Sequence, residues 1–272
     1  MSNTQLRIIS GLILATIVTV SVYVGTQLTL ILIGAIAILT VDEIYCNFFK
    51  NHRFSVGYFV SFLIFTASYG YIFFISPSKE ITNSLNIAAL IINLFLILYL
   101  FLVDMESDLI HRISDKIPQV GAIIILFPVV SLSSIMFQEK WQALLAVLLL
   151  VNFGMDTGAW LFGKNFGKHK LWKKVSPNKT IEGLFGGMFT SSIVGGLSWY
   201  GIFGQVRPVY FILFAFLGAM SQVGDLIQSK MKRQVGVKDS SALIPGHGGV
   251  YDRIDSLIFL SPFYVLVLRF IL

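Results

Sequence analysis

The sequence predicts an all-α, polytopic integral membrane protein with about nine transmembrane helices. Three observations lead there. Of 272 residues, 56% are hydrophobic and only 12% are charged; a soluble domain has about 45–50% and 25%. The mean hydropathy is +0.80. Apolar runs long enough to cross a bilayer core recur along the whole chain, leaving too little polar residue to cover a water-facing globule.

Each span is placed where about 20 mostly apolar residues run between polar flanks. The segments are approximately Ile8 to Val24, Leu28 to Tyr45, Val56 to Ile75, Leu85 to Val103, Ile117 to Phe137, Trp141 to Phe162, Ile181 to Phe203, Pro208 to Ile227 and Ile254 to Leu272. The first is long for a signal-peptide core and has no small-x-small cleavage site before Gly25, so it is expected to remain as a helix. There is no soluble domain, low-complexity tract or internal repeat. The chain is read as an N-terminal helical region, 1–140 (about five spans), and a C-terminal catalytic region, 141–272, with two basic loops.

Lys and Arg number 20 against 14 Asp and Glu. Alternate loops face opposite sides, which puts 16 of the basic residues on one side and 4 on the other. The positive-inside rule then places the N-terminus and the basic loops in the cytoplasm. A basic balance concentrated in short loops points to anionic lipid or a phosphorylated substrate, not to nucleic acid. Cys46 is the only cysteine, so neither an internal disulfide nor a cysteine-based zinc site is available.

The two longest cytoplasmic connections, Gly163 to Thr180 and Gln228 to Arg253, flank spans seven and eight and carry the chemistry-bearing residues. Asp225 lies at the cytoplasmic end of span eight, where a carboxylate needs water, a cation partner such as Lys230 or Arg233, or a functional role. Asp252 opens span nine. It reads either as an N-cap, with Asp255 three residues on completing a capping box, or as a second acid at the membrane boundary. Two oxygen-donor carboxylates suit Mg²⁺, which completes its shell with water and substrate phosphate.

Between these acids lie Ser229, Lys230, Lys232, Arg233, Lys238 and Asp239, followed by Pro245-Gly246-His247-Gly248-Gly249. Cations, hydroxyls and a glycine turn can cradle phosphate through backbone N–H groups. His247 is open between a proton shuttle, a phosphate donor and a turn-held imidazole. In the other loop, Ser176-Pro177 reads as an N-cap and first helical residue, with Asn178, Lys179 and Thr180 beside a phosphate-attracting helix start. Lys164, Lys168, Lys170, Lys173 and Lys174 are assigned to topology and lipid contact. Asp156, near the end of span six, and Glu182 read either as lysine partners or as support for the site. Asp42, Glu43 and the group Asp104, Glu106, Asp108 and His111 are read as solvated helix ends, and His52 and His169 lack metal-site spacing.

The stretch Ser229 to Asp255 resembles the signature of phosphatidate cytidylyltransferases (CDP-diacylglycerol synthases). It carries Ser-x-Met-Lys-Arg, four residues, Lys-Asp, and then Pro-Gly-His-Gly-Gly-Val-x-Asp-Arg-Ile-Asp. Ser176 to Gly183 and Gly224-Asp225-Leu226 are similar to the family too. The resemblance is sharp over the C-terminal 120 or so residues and architectural over the first 150.

It implies the reaction CTP + phosphatidic acid → CDP-diacylglycerol + pyrophosphate with Mg²⁺, and with room for a second metal ion. It puts the metal-binding acids at Asp225 and Asp252 and carries over Asp255 as a signature position; Asp255 and Asp156, the third acid at membrane depth on that side, are further metal candidates. Lys238, Asp239, His247 and Arg253 are carried over as catalytic signature positions. Ser176, Asn178, Lys179, Thr180, Ser229, Lys232, Arg233, Gly248 and Gly249 are taken as substrate-binding. Expected partners are CTP, phosphatidic acid and membrane lipids, with a homodimer through spans one to five; the expected location is the bacterial inner membrane. Two alternatives stand beside this: a cytidylyltransferase for another lipid phosphate, such as an ether lipid, and a cation-coupled transporter using Asp156, Asp225 and Asp252 as an ion path.

Overall fold

The computed structural model describes residues 3–272. Ten helices and one short hairpin make up the described chain: α1 (Asn3–Val24), α2 (Thr26–Glu43), α3 (Val56–Gly70), α4 (Lys79–Leu102), α5 (Leu109–Lys116), α6 (Val120–Ser134), α7 (Trp141–Phe166), β1 (Lys170–Trp172), β2 (Ser176–Thr180), α8 (Ile181–Phe203), α9 (Pro208–Gln234) and α10 (Tyr251–Ile271). Wider turns extend α2 to Phe48 and α3 to Ile75. Among the described residues, eight helices are long and apolar enough to cross a membrane. They correspond to eight of the nine expected spans.

The ninth, α8, is a 23-residue helix, but glycine and serine lower its apolar content. Its two faces explain this. Gly183, Gly186, Gly187, Ser191, Gly195 and Gly196 are buried, whereas Phe185, Phe189 and Leu197, at multiples of four, are exposed. The small residues let α8 lie against α7, where Ser191 Oγ donates to Val151 O at 2.9 Å. Close approach through small residues is how membrane helices pack without a hydrophobic driving force between them.

The chain forms two compact units. The first comprises the chain up to Ile92, Glu106–Phe137 and Met231–Ile254. Here α2, α3 and α6 pack on one another around Ala37, Phe65, Ile125 and Val130, each at most 1% exposed. Tyr69 satisfies its buried hydroxyl by donating to Leu30 O at 2.9 Å. The second comprises Asn93–Met105, Gln138–Lys230 and Asp255–Leu272. In it Tyr264 Oη donates to Leu144 O at 2.7 Å and Asn93 Nδ2 to Phe259 O at 2.8 Å. Hydrogen bonds of this kind meet the requirement that polar groups at membrane depth find partners.

Two expectations change. Ser176-Pro177 does not open span seven; it begins β2, antiparallel to β1 with Trp172 opposite Ser176. The helix starts five residues later at Ile181, capped by Thr180, whose Oγ1 accepts from Gly183 N at 3.1 Å. Both Ser-Pro and Thr-Ile-Glu-Gly satisfy the local start rule, and hairpin pairing decides between them; a proline is tolerated because neither strand is internal to a larger sheet. Span eight, expected to end near Ile227, continues to Gln234. Ile227, Met231 and Val235 are buried at a spacing of four, so a buried stripe carries the helix through a charged stretch.

Replacing Gly187 with Val is expected to destabilise the α7–α8 pair by about 1–3 kcal/mol or more. A Cβ there meets Met155 Sδ at 2.6 Å and the Met155 carbonyl at 2.7 Å. Gly201→Ala, which meets nothing within 4 Å, should be neutral or slightly stabilising. Thermal unfolding of both variants in detergent checks the contrast.

Candidate functional site

Asp225 sits on α9 with Ser229 and Lys232 at i+4 and i+7, along one helix face. In the second unit its Oδ2 accepts from Lys179 Nζ at 2.5 Å and its Oδ1 from Ser229 Oγ at 3.1 Å. Lys179 is delivered by β2, so the hairpin aims the ammonium at the acid. The partners weighed for Asp225 from sequence, Lys230 and Arg233, are not the ones observed. Lys230 is 1% exposed; its Nζ donates to Tyr99 O and Leu100 O at 2.9 Å each, and to Val103 O. It neutralises the carbonyl end of α4, where a cation is favoured. Arg233 is exposed.

In the first unit, Asp252 is held from three directions. Its Oδ1 accepts from Lys232 Nζ at 2.8 Å, and its Oδ2 from Ser240 N at 2.8 Å and Gly249 N at 3.0 Å. Its side chain is only 4% exposed. The capping-box reading is not realised, because Asp252 lies inside the first turn of α10 and accepts from residues that precede it. Asp255 accepts from Ser256 N at 2.7 Å.

The N–H groups at the start of α10 are satisfied instead by Glu43 at the end of α2. This carboxylate, read from sequence as a solvated helix end, is 2% exposed. Oε1 accepts from Ser241 Oγ at 2.6 Å and Val250 N at 2.8 Å, and Oε2 from Ser240 Oγ at 2.8 Å and Tyr251 N at 2.9 Å. One acid therefore pins both ends of the segment from Ser240 to Tyr251. Asn47, one turn on, donates to Ser240 O at 2.6 Å. Gly249 passes so close that a Cβ would lie 2.7 Å from Glu43 Oε2. Asp42 also departs from expectation: it is bound by Arg53 at 2.5 Å and by Tyr58 Oη at 2.8 Å. Asp104, Glu106 and Asp108 are exposed, as expected.

The glycine turn is held by α1. Arg7 Nε donates to Gly246 O at 2.8 Å, while Ser10 Oγ contacts Pro245 O at 3.1 Å and His247 Nδ1 at 2.8 Å. Gly246 and Gly248 have φ of 76° and 87°, a conformation that favours glycine. Of the three readings of His247, the turn-held one is met by its hydrogen bonds, including His247 N to Ile244 O at 2.9 Å. Burial chiefly, then Arg253 and Arg7, hold the imidazole pKa below its usual value. Around this turn lies a cavity of about 500 Å³ lined by Arg7, Lys238, Asp239, Gly246, His247, Gly248 and Arg253.

Asn178 and Asp156 are exposed; Ser176 and Thr180 serve the strand pairing and the α8 cap. Glu182 accepts from the backbone N–H of His169 at 3.2 Å and meets its Nδ1 at 2.6 Å, closing the base of the hairpin. Among the described residues, no three of His, Cys, Asp and Glu form a metal-holding group. Asp225 in the second unit and Asp252 in the first are each oxygen donors of the kind Mg²⁺ takes, and each already accepts from a lysine of its own unit.

Helices of this length and apolarity, with exposed Leu, Ile and Phe on α1, α4 and α8, make the chain a polytopic integral membrane protein. A profile of the cytidylyltransferase family matches residues 5–271. The chain belongs to that family. Relatives named phosphatidate cytidylyltransferase include those of Staphylococcus aureus (strain COL), 48% identical, and Staphylococcus haemolyticus, 46% identical. Each match covers 114 residues, 42% of this chain and 44% of the relative, so the chain is aligned over less than half the length of these relatives.

Two outcomes are expected here. Glu43→Ala leaves the Val250 and Tyr251 amides unmatched, at about 1–3 kcal/mol per buried donor, and hydrogen exchange should show both amides losing protection ahead of the helices. The second concerns His247. Because the folded protein disfavours the imidazolium, the unfolded chain binds the proton first as pH falls below about 6.5. Stability from this group is present above that pH and is lost on acidification through the folded pKa. The unfolding temperature between pH 7.5 and 5 should fall more in the parent than in His247→Asn.

Proposed function

We propose that this protein transfers CMP from CTP to phosphatidic acid, giving CDP-diacylglycerol and pyrophosphate, at the cytoplasmic face of a bacterial inner membrane. The observation that supports this best is the pairing of each signature acid with a lysine, Asp225 with Lys179 and Asp252 with Lys232. Family membership and the names of the relatives support it too.

In this reading an oxygen of the lipid phosphate attacks the α-phosphorus of CTP. The bond from that phosphorus to the bridging oxygen breaks, and pyrophosphate leaves with the electron pair. The attacking oxygen is already anionic at neutral pH, so no general base is needed. The obstacle is electrostatic: two unit negative charges ~5 Å apart repel by about 3 kcal/mol at an effective dielectric of 20, and several such pairs must meet.

Asp225 and Asp252 would each be a carboxylate ligand for Mg²⁺, which when bound supplies positive charge to the reacting phosphates. Lys179 and Lys232 orient those carboxylates and bring cationic charge to the phosphate groups. Lys238 and Arg253 neutralise the triphosphate and the departing pyrophosphate. Gly248 and Gly249 keep the backbone close enough to Asp252 for its N–H bonds to form. Ser229 fixes the rotamer of Asp225. Acyl chains stay among the apolar helix faces while the head group meets polar residues at the helix ends.

Pyrophosphate release from CTP and phosphatidic acid in detergent, with Mg²⁺, tests the proposal. Asp225→Asn and Asp252→Asn are each expected to lower turnover by at least about 100-fold while remaining folded; Lys170→Ala is expected to stay within twofold of the parent. A folded parent that releases no pyrophosphate with any of several acyl compositions would sink the reaction, and a near-normal rate in either acid variant would remove that acid from the site.

A further inference from the structure

We infer that Arg7, on the first helix, is an anion-binding residue of the signature-loop cavity and contacts a phosphate-bearing ligand there; the choice of ligand rests on the proposed function, whereas the anion preference does not. Arg7 is the only charged residue of α1. It is spent on the glycine turn, and Ser10, one turn further on, grips the flanking residues Pro245 and His247. A Cβ on Gly246 would lie 3.0 Å from Arg7 Cγ, so the helix and the turn are in close packing.

The charge around the cavity is unbalanced. Arg7, Lys238 and Arg253 contribute three cations against the single carboxylate of Asp239. Among the described residues, none of the three cations has a carboxylate within 4 Å. Like charges around one cavity repel, and an anion between them removes that repulsion. Burial chiefly, and then Arg253 and Arg7, hold the His247 imidazole below its usual pKa, in keeping with that positive charge. Arg7 uses Nε on Gly246 O, and its guanidinium has four further N–H donors, a fork suited to phosphate oxygens. Two sources supply such oxygens: the polyphosphate of a nucleotide and the phosphate monoester of a lipid.

The test measures binding to the full-length protein in detergent, without turnover, by ligand-induced shifts in unfolding temperature. Inorganic pyrophosphate and a soluble short-chain phosphatidic acid are the probes. Arg7→Gln keeps an N–H donor for Gly246 O but no charge, and Arg7→Lys keeps the charge. We expect Arg7→Gln to weaken at least one probe by about tenfold and Arg7→Lys to restore most of it. Loss confined to pyrophosphate identifies a polyphosphate ligand; loss confined to phosphatidic acid identifies the lipid head group. Both probes binding Arg7→Gln within twofold of the parent would overturn the inference, as would rescue by Gln and not by Lys. If Arg7→Gln does not fold, a tenfold loss of both probes in folded Arg7→Lys overturns it and retention within threefold supports it. A parent without turnover but with charge-dependent binding would sink the reaction and leave the role of Arg7 standing.

Discussion

The four hydrogen bonds accepted by the buried carboxylate of Glu43 are the constraint on which the signature segment depends. A loop with glycines at positive φ at positions 246 and 248 has little conformational preference of its own. Glu43 ties the serines before the turn and the first amides of α10 to one rigid helix end, and this sets where Asp252 lies in the helix. Asp252 then takes Ser240 N and Gly249 N on one oxygen and Lys232 on the other. Removing the carboxylate of Glu43 would take the acceptors from the buried amides of Val250 and Tyr251. The chemistry-bearing loop is therefore held by the N-terminal helices as much as by its own sequence.

Most of the helical frame was legible because each span is an apolar run with polar ends, and such runs do not depend on distant partners. Span three, Val56 to Ile75, was placed at its observed limits. The overrun of α9 past Ile227 had a readable signal, the stripe Ile227, Met231 and Val235, which its lysines obscured. The start of α8 had two competing caps, and only the pairing of β1 with β2 separates them. Glu43 was illegible for a different reason. Its partners lie about 200 residues away, and in the local string Val-Asp-Glu-Ile nothing distinguishes an acid facing water from one facing a distant loop.

Three charges on α9, Asp225, Lys230 and Lys232, are each met by a group from another part of their own unit. Lys230 turns to the carbonyl end of α4, and Asp225 to the lysine of β2. Three residues on from Lys230, Arg233 stays exposed. Helical periodicity thus sorts neighbouring basic residues into different tasks, which composition alone treats as one cluster. A carbonyl end accepts a cation without needing a carboxylate, so Lys230 leaves Asp225 open to the hairpin lysine.

The two lysine–carboxylate pairs also bear on how phosphate could be received. A side chain that is 31% exposed, as in Asp225, and one that is 4% exposed, as in Asp252, differ in how much water screens them. Lys179 and Lys232 keep each carboxylate neutralised before any ligand arrives, so neither acid presents a bare charge to an incoming phosphate. In the proposed reaction a second cation on either carboxylate would free its lysine to donate to phosphate without leaving a buried charge unmatched. That exchange needs the lysine to be flexible and the acid to be fixed. The acid is fixed: Asp252 is tethered by two backbone N–H bonds, from Ser240 and Gly249, that do not depend on the lysine.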